Sequence, residues 1–158
     1  MPTLQWVGKN AVVNHHYDVP FRLLNKKYSF SATAEGQVTT TNNRIIHGDN
    51  LEVLKSLLPE FEGKVNCIYI DPPYNTGNKD FIYNDRFLGS DDAYRHSKWL
   101  EFLYWRLLLA KDLLADDGVL LVSINDENRA KLELLLDQIF YGMRRGSFVW
   151  RTRQGSNA

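Results

Sequence analysis

Val65-Asn66-Cys67-Ile68-Tyr69-Ile70-Asp71-Pro72-Pro73-Tyr74-Asn75-Thr76-Gly77 runs from an apolar stretch straight into a polar tip, and its reading decides the fold. Val65, Cys67, Ile68, Tyr69 and Ile70 are apolar enough for a strand covered on both faces, as in a parallel sheet. Asp71-Pro72 stops that strand, because proline has no N–H to give to a ladder. Upstream, Ile45-Ile46 before His47-Gly48-Asp49 reads as a short strand. Asn50 is expected to cap a helix carrying Leu51, Val53, Leu54, Leu57 and Leu58, which Pro59 and Gly63 end. Downstream, residues 98–115 read as a helix capped by Ser97 and apolar nearly all round, from Trp99 and Leu100 to Leu113 and Leu114. Asp116-Asp117-Gly118 then turns the chain into a third strand over 119–124. Asp126 is expected to cap a helix with Leu132, Leu135, Leu136, Ile139 and Phe140 on one stripe, and Phe148-Val149-Trp150 to open another strand. Strands alternating with helices predict an α/β fold, a parallel sheet with helices on both faces.

In such a sheet ligands collect beyond the carboxyl ends of the strands, where Asp49, Asp71 and Asn125-Asp126 fall. Asp71-Pro72-Pro73-Tyr74 has the chemistry for methylating a planar exocyclic amine, whose lone pair is delocalised into its ring and must be redirected. The Asp71 carboxylate can accept one amine N–H and a carbonyl of the Pro72-Pro73 stretch the other, which favours a pyramidal nitrogen. Two prolines hold those carbonyls stiffly, and the Tyr74 ring offers a stacking face worth ~1–3 kcal/mol to a base. Asp-Pro-Pro alone would equally suit a rigid turn. The preceding strand, the following Tyr74 and the Asn75-Thr76-Gly77 continuation make the catalytic reading the stronger one.

The bulk properties set limits. A chain of 158 residues, 44% hydrophobic, suffices for one domain with a real core. Residues 1–43 are polar and irregular, an arm and linker, and residues 44–158 carry the fold. The 19 basic and 19 acidic residues cancel, so any nucleic-acid face must come from local clusters. Lys79, in a stretch of about twenty residues between Asn75 and His96 without a clear element, is one candidate DNA contact. Its neighbours Asn78, Phe81, Tyr83, Asp85 and Arg86 suit a DNA-facing lid. Arg151 and Arg153, with Arg144 and Arg145, are others. Cys67, the only cysteine, excludes an internal disulfide, fits a reducing cytoplasm and is expected in the core. His15 and His16 lack a third ligand, so no metal is expected. No apolar run approaches the ~18 residues of a membrane span and no signal pattern opens the chain, so a cytoplasmic location and no membrane contact are expected.

His47-Gly48-Asp49-Asn50-Leu51-Glu52-Val53-Leu54, the stretch from Ile68 through Gly77, and His96-Ser97-Lys98-Trp99-Leu100 together resemble the modification subunits of type III restriction–modification systems and related adenine-specific DNA methyltransferases. Gly118-Val119-Leu120-Leu121-Val122-Ser123-Ile124-Asn125-Asp126 and Asp137-Gln138-Ile139-Phe140 continue the likeness. The resemblance implies a Rossmann-like S-adenosylmethionine-dependent methyltransferase fold, with S-adenosylmethionine as cofactor and DNA as substrate. It also implies a restriction subunit or a second methyltransferase copy as partner. Asp71, Pro72, Pro73 and Tyr74 would form the catalytic motif, with Asp71 and Asp49 beside the cofactor. Tyr74, Asn75, Ser123, Asn125 and Asp126 would line the pocket for a flipped adenine. The glycine-rich Phe-x-Gly-x-Gly loop that this family places late in the chain does not occur in these 158 residues, which stop near the start of the target-recognition region. The fold is therefore expected to be incomplete and the chain inactive by itself. The alternatives are a non-catalytic fragment or partner subunit that retains the adenine pocket, and a methyltransferase acting on RNA or on the amine of cytosine.

Overall fold

A computed structural model describes residues 3–12, 15–30, 32–34, 37–39, 42–83, 86–89 and 92–150. Eleven elements follow in order: α1 (Lys9–Val12), α2 (His15–Asp18), β1 (Ala32–Ala34), β2 (Gln37–Thr39), α3 (Asn50–Phe61), β3 (Val65–Ile70), β4 (Asn78–Tyr83), β5 (Arg86–Gly89), α4 (Arg95–Leu113), β6 (Leu114–Val122) and α5 (Asp126–Ile139). β3 and β6 pair in parallel, with Ile68 opposite Leu120 and Ile70 opposite Val122. α4 is the crossover between them, as parallel pairing demands. β1 with β2, and β4 with β5, form separate antiparallel pairs.

The core is built around α4. Its Trp99, Leu103 and Leu107 are buried with Leu132, Leu135 and Ile139 of α5, and Ile70, Leu120 and Val122 of the sheet pack against them. A helix apolar on most sides needs cover on most sides. α3 supplies one, burying Leu51 against Leu109, and the leading arm joins in through Val12 and Val19. The end of α4 is closed by the chain leaving α3: Gly63, in the left-handed region at φ +65°, donates to Asp112 O at 2.9 Å, and Lys64 N donates to Leu113 O at 3.1 Å. Two carbonyls that a helix end leaves without partners are thereby satisfied.

Several expectations need correction. The Rossmann-like sheet with helices on both faces appears, among the described residues, as two parallel strands covered on one face. Cys67, Tyr69, Val119 and Leu121 on the other face are exposed, so Cys67 is not a core residue and β3 is not covered on both sides. Ile45-Ile46 forms no strand. No neighbour pairs with it among the described residues, and Ile45 is fully exposed. Phe148-Val149-Trp150 is likewise exposed and irregular. The third strand begins earlier than expected, at Leu114, and takes Asp116-Asp117-Gly118 into itself through a register shift opposite Val65 and Cys67. The segment after Asn75 contains the β4–β5 pair rather than a loop without elements.

The caps also move. Asp49, not Asn50, caps α3, its carboxylate accepting from Leu51 N at 2.8 Å, and Pro59 lies inside the helix near its end. Asn125, not Asp126, caps α5. α4 starts before Ser97, which instead accepts from Val7 N. Asp92 organises that start by accepting from Tyr94 N and from Lys98 Nζ, which places an anion at the positive end of the helix. Among the described residues no helix is long and apolar enough to cross a membrane, and no cluster of side chains suits a metal ion. The side chains of His15 and His16 lie outside the described ones.

Candidate active site

The chain leaves β3 at Asp71 as an irregular loop whose backbone is gripped from two helices. Trp99 on α4 donates its indole Nε1–H to Pro73 O at 2.7 Å. Asn128 on α5 donates its amide to Tyr74 O at 2.7 Å and to Asn75 O at 3.3 Å. Both anchors are fully buried, with 0% exposure. Asn75 adopts the left-handed backbone, φ +56°, which asparagine tolerates better than most residues. Three successive carbonyls, at 73, 74 and 75, are therefore held by side chains, whereas Pro72 O accepts no hydrogen bond from the described residues. The Asp71 side chain is exposed, and hydrogen bonding to its carboxylate raises the Tyr74 hydroxyl above the ordinary phenol value.

The tip of β6 lies alongside. Ser123 N donates to Ile70 O at 3.0 Å, and the Ser123 and Tyr69 hydroxyls share a hydrogen bond of 2.8 Å. The Asn125 side chain accepts from Asn128 N at 3.3 Å, and Asp126 is exposed at the first turn of α5. The structure thus brings together Asp71, Pro72, Pro73, Tyr74, Asn75, Ser123, Asn125 and Asp126. Asp49 stands apart from them. It and Asn50 are tied to Arg106 of α4, whose guanidinium lies 3.8 Å from Asp49 Oδ1 and donates to Asn50 Oδ1 at 2.6 Å. Burial lowers Arg106 to about 10, against the opposing pull of Asp49. Trp99 and Arg106 are seven residues apart on one helix face, so the two anchor points are separated by roughly 10 Å along α4.

The backbone of Lys79 belongs to β4 but its side chain lies outside the described residues, as do Arg151 and Arg153 entirely. Arg144, expected beside phosphate, is instead paired with Glu133 and Asp137 at 3.2 and 3.0 Å, so its charge is already matched within the chain.

The sequence reading gave Trp99, Asn128 and His96 no place in the site. The Asn75 amide stands 3.1 Å from His96 Nδ1, and the guanidinium of Arg95 lies 3.4 Å from Nε2. Arg95 can only donate, so that contact needs an unprotonated ring nitrogen. Burial first, then Lys131 and Arg95, hold His96 below its usual value of 6.5, with Glu127 acting the other way. A histidine harder to protonate in the folded state contributes stability that is full above about pH 6.5 and is lost as pH falls through the lowered value. Urea unfolding at stepped pH should therefore show a loss of stability below neutrality that is smaller in His96→Gln. An identical pH dependence in the two proteins would refute this.

A family model described as DNA methylase matches residues 65–158. The chain is 53% identical over 102 residues to a protein of Haemophilus influenzae named as a probable type III restriction-modification enzyme HindVI Mod subunit. That match covers 65% of this chain and 13% of the relative. It is 38% identical to the type III restriction-modification enzyme EcoPI Mod subunit of Escherichia phage P1, over 93% of this chain and 26% of the relative. It is 40% identical to the type II methyltransferase M.KpnI of Klebsiella pneumoniae, over 64% of this chain and 24% of the relative. The chain thus spans about a quarter, or less, of the length of these curated relatives.

Proposed function

The chain belongs to the DNA methylase family, and from that premise we propose that it is the catalytic-loop portion of an adenine-specific DNA methyltransferase of a restriction–modification system, acting in the cytoplasm on the N6 amine. The observation that carries the reading is the gripped 71–75 loop. Its carbonyls at 73, 74 and 75 are engaged by Trp99 and Asn128, so among the described residues the acceptor left beside the Asp71 carboxylate is Pro72 O. Asp71 and Pro72 O would take one amine N–H each, turning the nitrogen lone pair out of conjugation. No strong base is required, because the proton leaves only after the nitrogen has become cationic. Tyr74 would stack on the flipped base, with Asn75, Ser123, Asn125 and Asp126 around it, while Lys79, Arg151 and Arg153 would contact the DNA backbone.

S-adenosylmethionine, when bound, supplies an electrophilic methyl group. The residues present fit part of its needs: Asp71 is an exposed carboxylate at the carboxyl end of a parallel strand, where such ligands bind. Asp49 fits less well, because its carboxylate is already shared between a helix cap and Arg106. A restriction subunit or a second methyltransferase copy is the partner this reading implies; the relatives' names, Mod subunits of restriction-modification enzymes, support the first of these.

The test is transfer of tritiated methyl to duplex DNA by the intact methyltransferase that includes this chain, followed by nucleoside analysis. Label in N6-methyl-2′-deoxyadenosine is expected, and label in N4-methyl-2′-deoxycytidine, or transfer to RNA offered in parallel in place of DNA, would overturn the reading. A second expectation concerns the ring. Tyr74→Ala should weaken capture of a flipped base by a stacking-sized ~1–3 kcal/mol, whereas Tyr74→Phe keeps the face and should retain capture. Fluorescence of 2-aminopurine at the target position reports the flipping, and equal signals from the two variants would exclude stacking by Tyr74.

A further inference from the structure

The Asn128 side chain is fully buried, yet its polar atoms are engaged. Its Nδ2 donates to two consecutive carbonyls, Tyr74 O and Asn75 O, and its Oδ1 accepts from Lys131 Nζ at 3.2 Å. A buried amide persists in a core only when so satisfied. Two successive carbonyls can converge on one nitrogen because Asn75 takes the left-handed backbone. Docking of α5 does not depend on this contact, since Leu132, Leu135 and Ile139 already bury that helix against α4. The amide therefore acts on the loop. Trp99 grips the adjacent peptide unit from α4, so residues 73–75 are held from two sides next to the exposed Asp71, while Pro72 is buried and its carbonyl accepts no hydrogen bond from the described residues.

We propose that Asn128 is a positioning residue for methyl transfer. By fixing the Tyr74 and Asn75 carbonyls it sets the direction of Pro72 O and the plane of the Tyr74 ring, without itself touching base or methyl donor. The inference rests on the function proposed above and names a residue which that chemistry alone does not require. Asn128→Asp is the informative change: it keeps the shape but sets carboxylate oxygen against two carbonyl oxygens, with Lys131 at hand to balance the charge. A shift of about 1 Å in a catalytic group can cost roughly 100-fold in rate, and a loss of that size in kcat is expected.

The experiment uses the intact methyltransferase that includes this chain, with ¹³C-labelled carbonyls at Tyr74 and Asn75. In Asn128→Asp, kcat should fall about 100-fold while KM for DNA stays the same, the labelled carbonyl signals should move, and circular dichroism should show a folded protein. Unchanged carbonyl signals, or a rise in KM with kcat retained, would overturn the proposal. Should Asn128→Asp fail to fold, Trp99→Phe decides: it removes the indole donor at Pro73 O and leaves a small cavity, so its melting is followed alongside, and in the folded variant kcat must fall at constant KM or the two-sided grip has no catalytic consequence. If the unsubstituted protein transfers no methyl group at all, the proposed function fails, and the labelled carbonyls still decide whether Asn128 sets the loop.

Discussion

Asp71→Ala is expected to lower the rate of methyl transfer by about 10²–10³-fold, with the fold intact. The side chain is exposed and makes no core contact, so its removal leaves no cavity. What is lost is the acceptor that would hold one amine N–H while the nitrogen becomes pyramidal. Groups that act on charge developing in a transition state contribute ~2.7–4 kcal/mol each when deleted singly. Asp71→Asn separates charge from geometry, because it keeps one oxygen acceptor and should recover part of the loss. Single-turnover rates with tritiated methyl donor, compared with thermal melting of each variant, make the measurement. Turnover of Asp71→Ala close to that of the unsubstituted protein would remove Asp71 from the mechanism.

Trp99→Ala should have the largest effect on stability. Trp99 is completely buried at the centre of the α4–α5 core, and truncating such a ring costs ~3–5 kcal/mol through lost transfer energy and the cavity left behind. The change also strips the partner from Pro73 O. Urea unfolding should show an unfolding free energy lower by that amount and a correspondingly lower midpoint, and an unchanged midpoint would mean that the core relaxes around the gap.

How much of this was legible follows from the kind of signal each part gives. The β3–α4–β6 unit was readable because its apolar runs are long and its breaks chemical: Asp71-Pro72 ends a strand wherever it falls. The caps were misassigned by one or more residues because Asp49-Asn50 and Asn125-Asp126 each offer two good capping side chains in succession, and the choice is made by backbone geometry. The β4–β5 pair could have been found from the strand-favouring Phe81, Tyr83 and Phe87, which lie on either side of Asn84-Asp85, residue types that favour tight turns in any sequence. Ile45-Ile46 was overread, since two apolar residues fit an extended chain without a partner as well as a strand. In the site, the motif residues announced themselves by type and order. Asn128 did not, because its partners are more than fifty positions away and a buried asparagine on a helix looks like any other polar residue in the sequence. Trp99 read as one more apolar residue, since nothing in the sequence tells where an indole N–H will point.

The two attachments along α4 have a consequence for how this sequence can change. Trp99 holds Pro73 and Arg106 holds Asp49 with Asn50, and both point the same way only because seven residues make nearly two whole turns. Substitutions between them leave that phase untouched, but one inserted or deleted residue would swing one attachment by about 100° relative to the other. Insertions can be absorbed in the loops of such a protein; between positions 99 and 106 the length of the chain is itself a constraint, independent of which residues fill it.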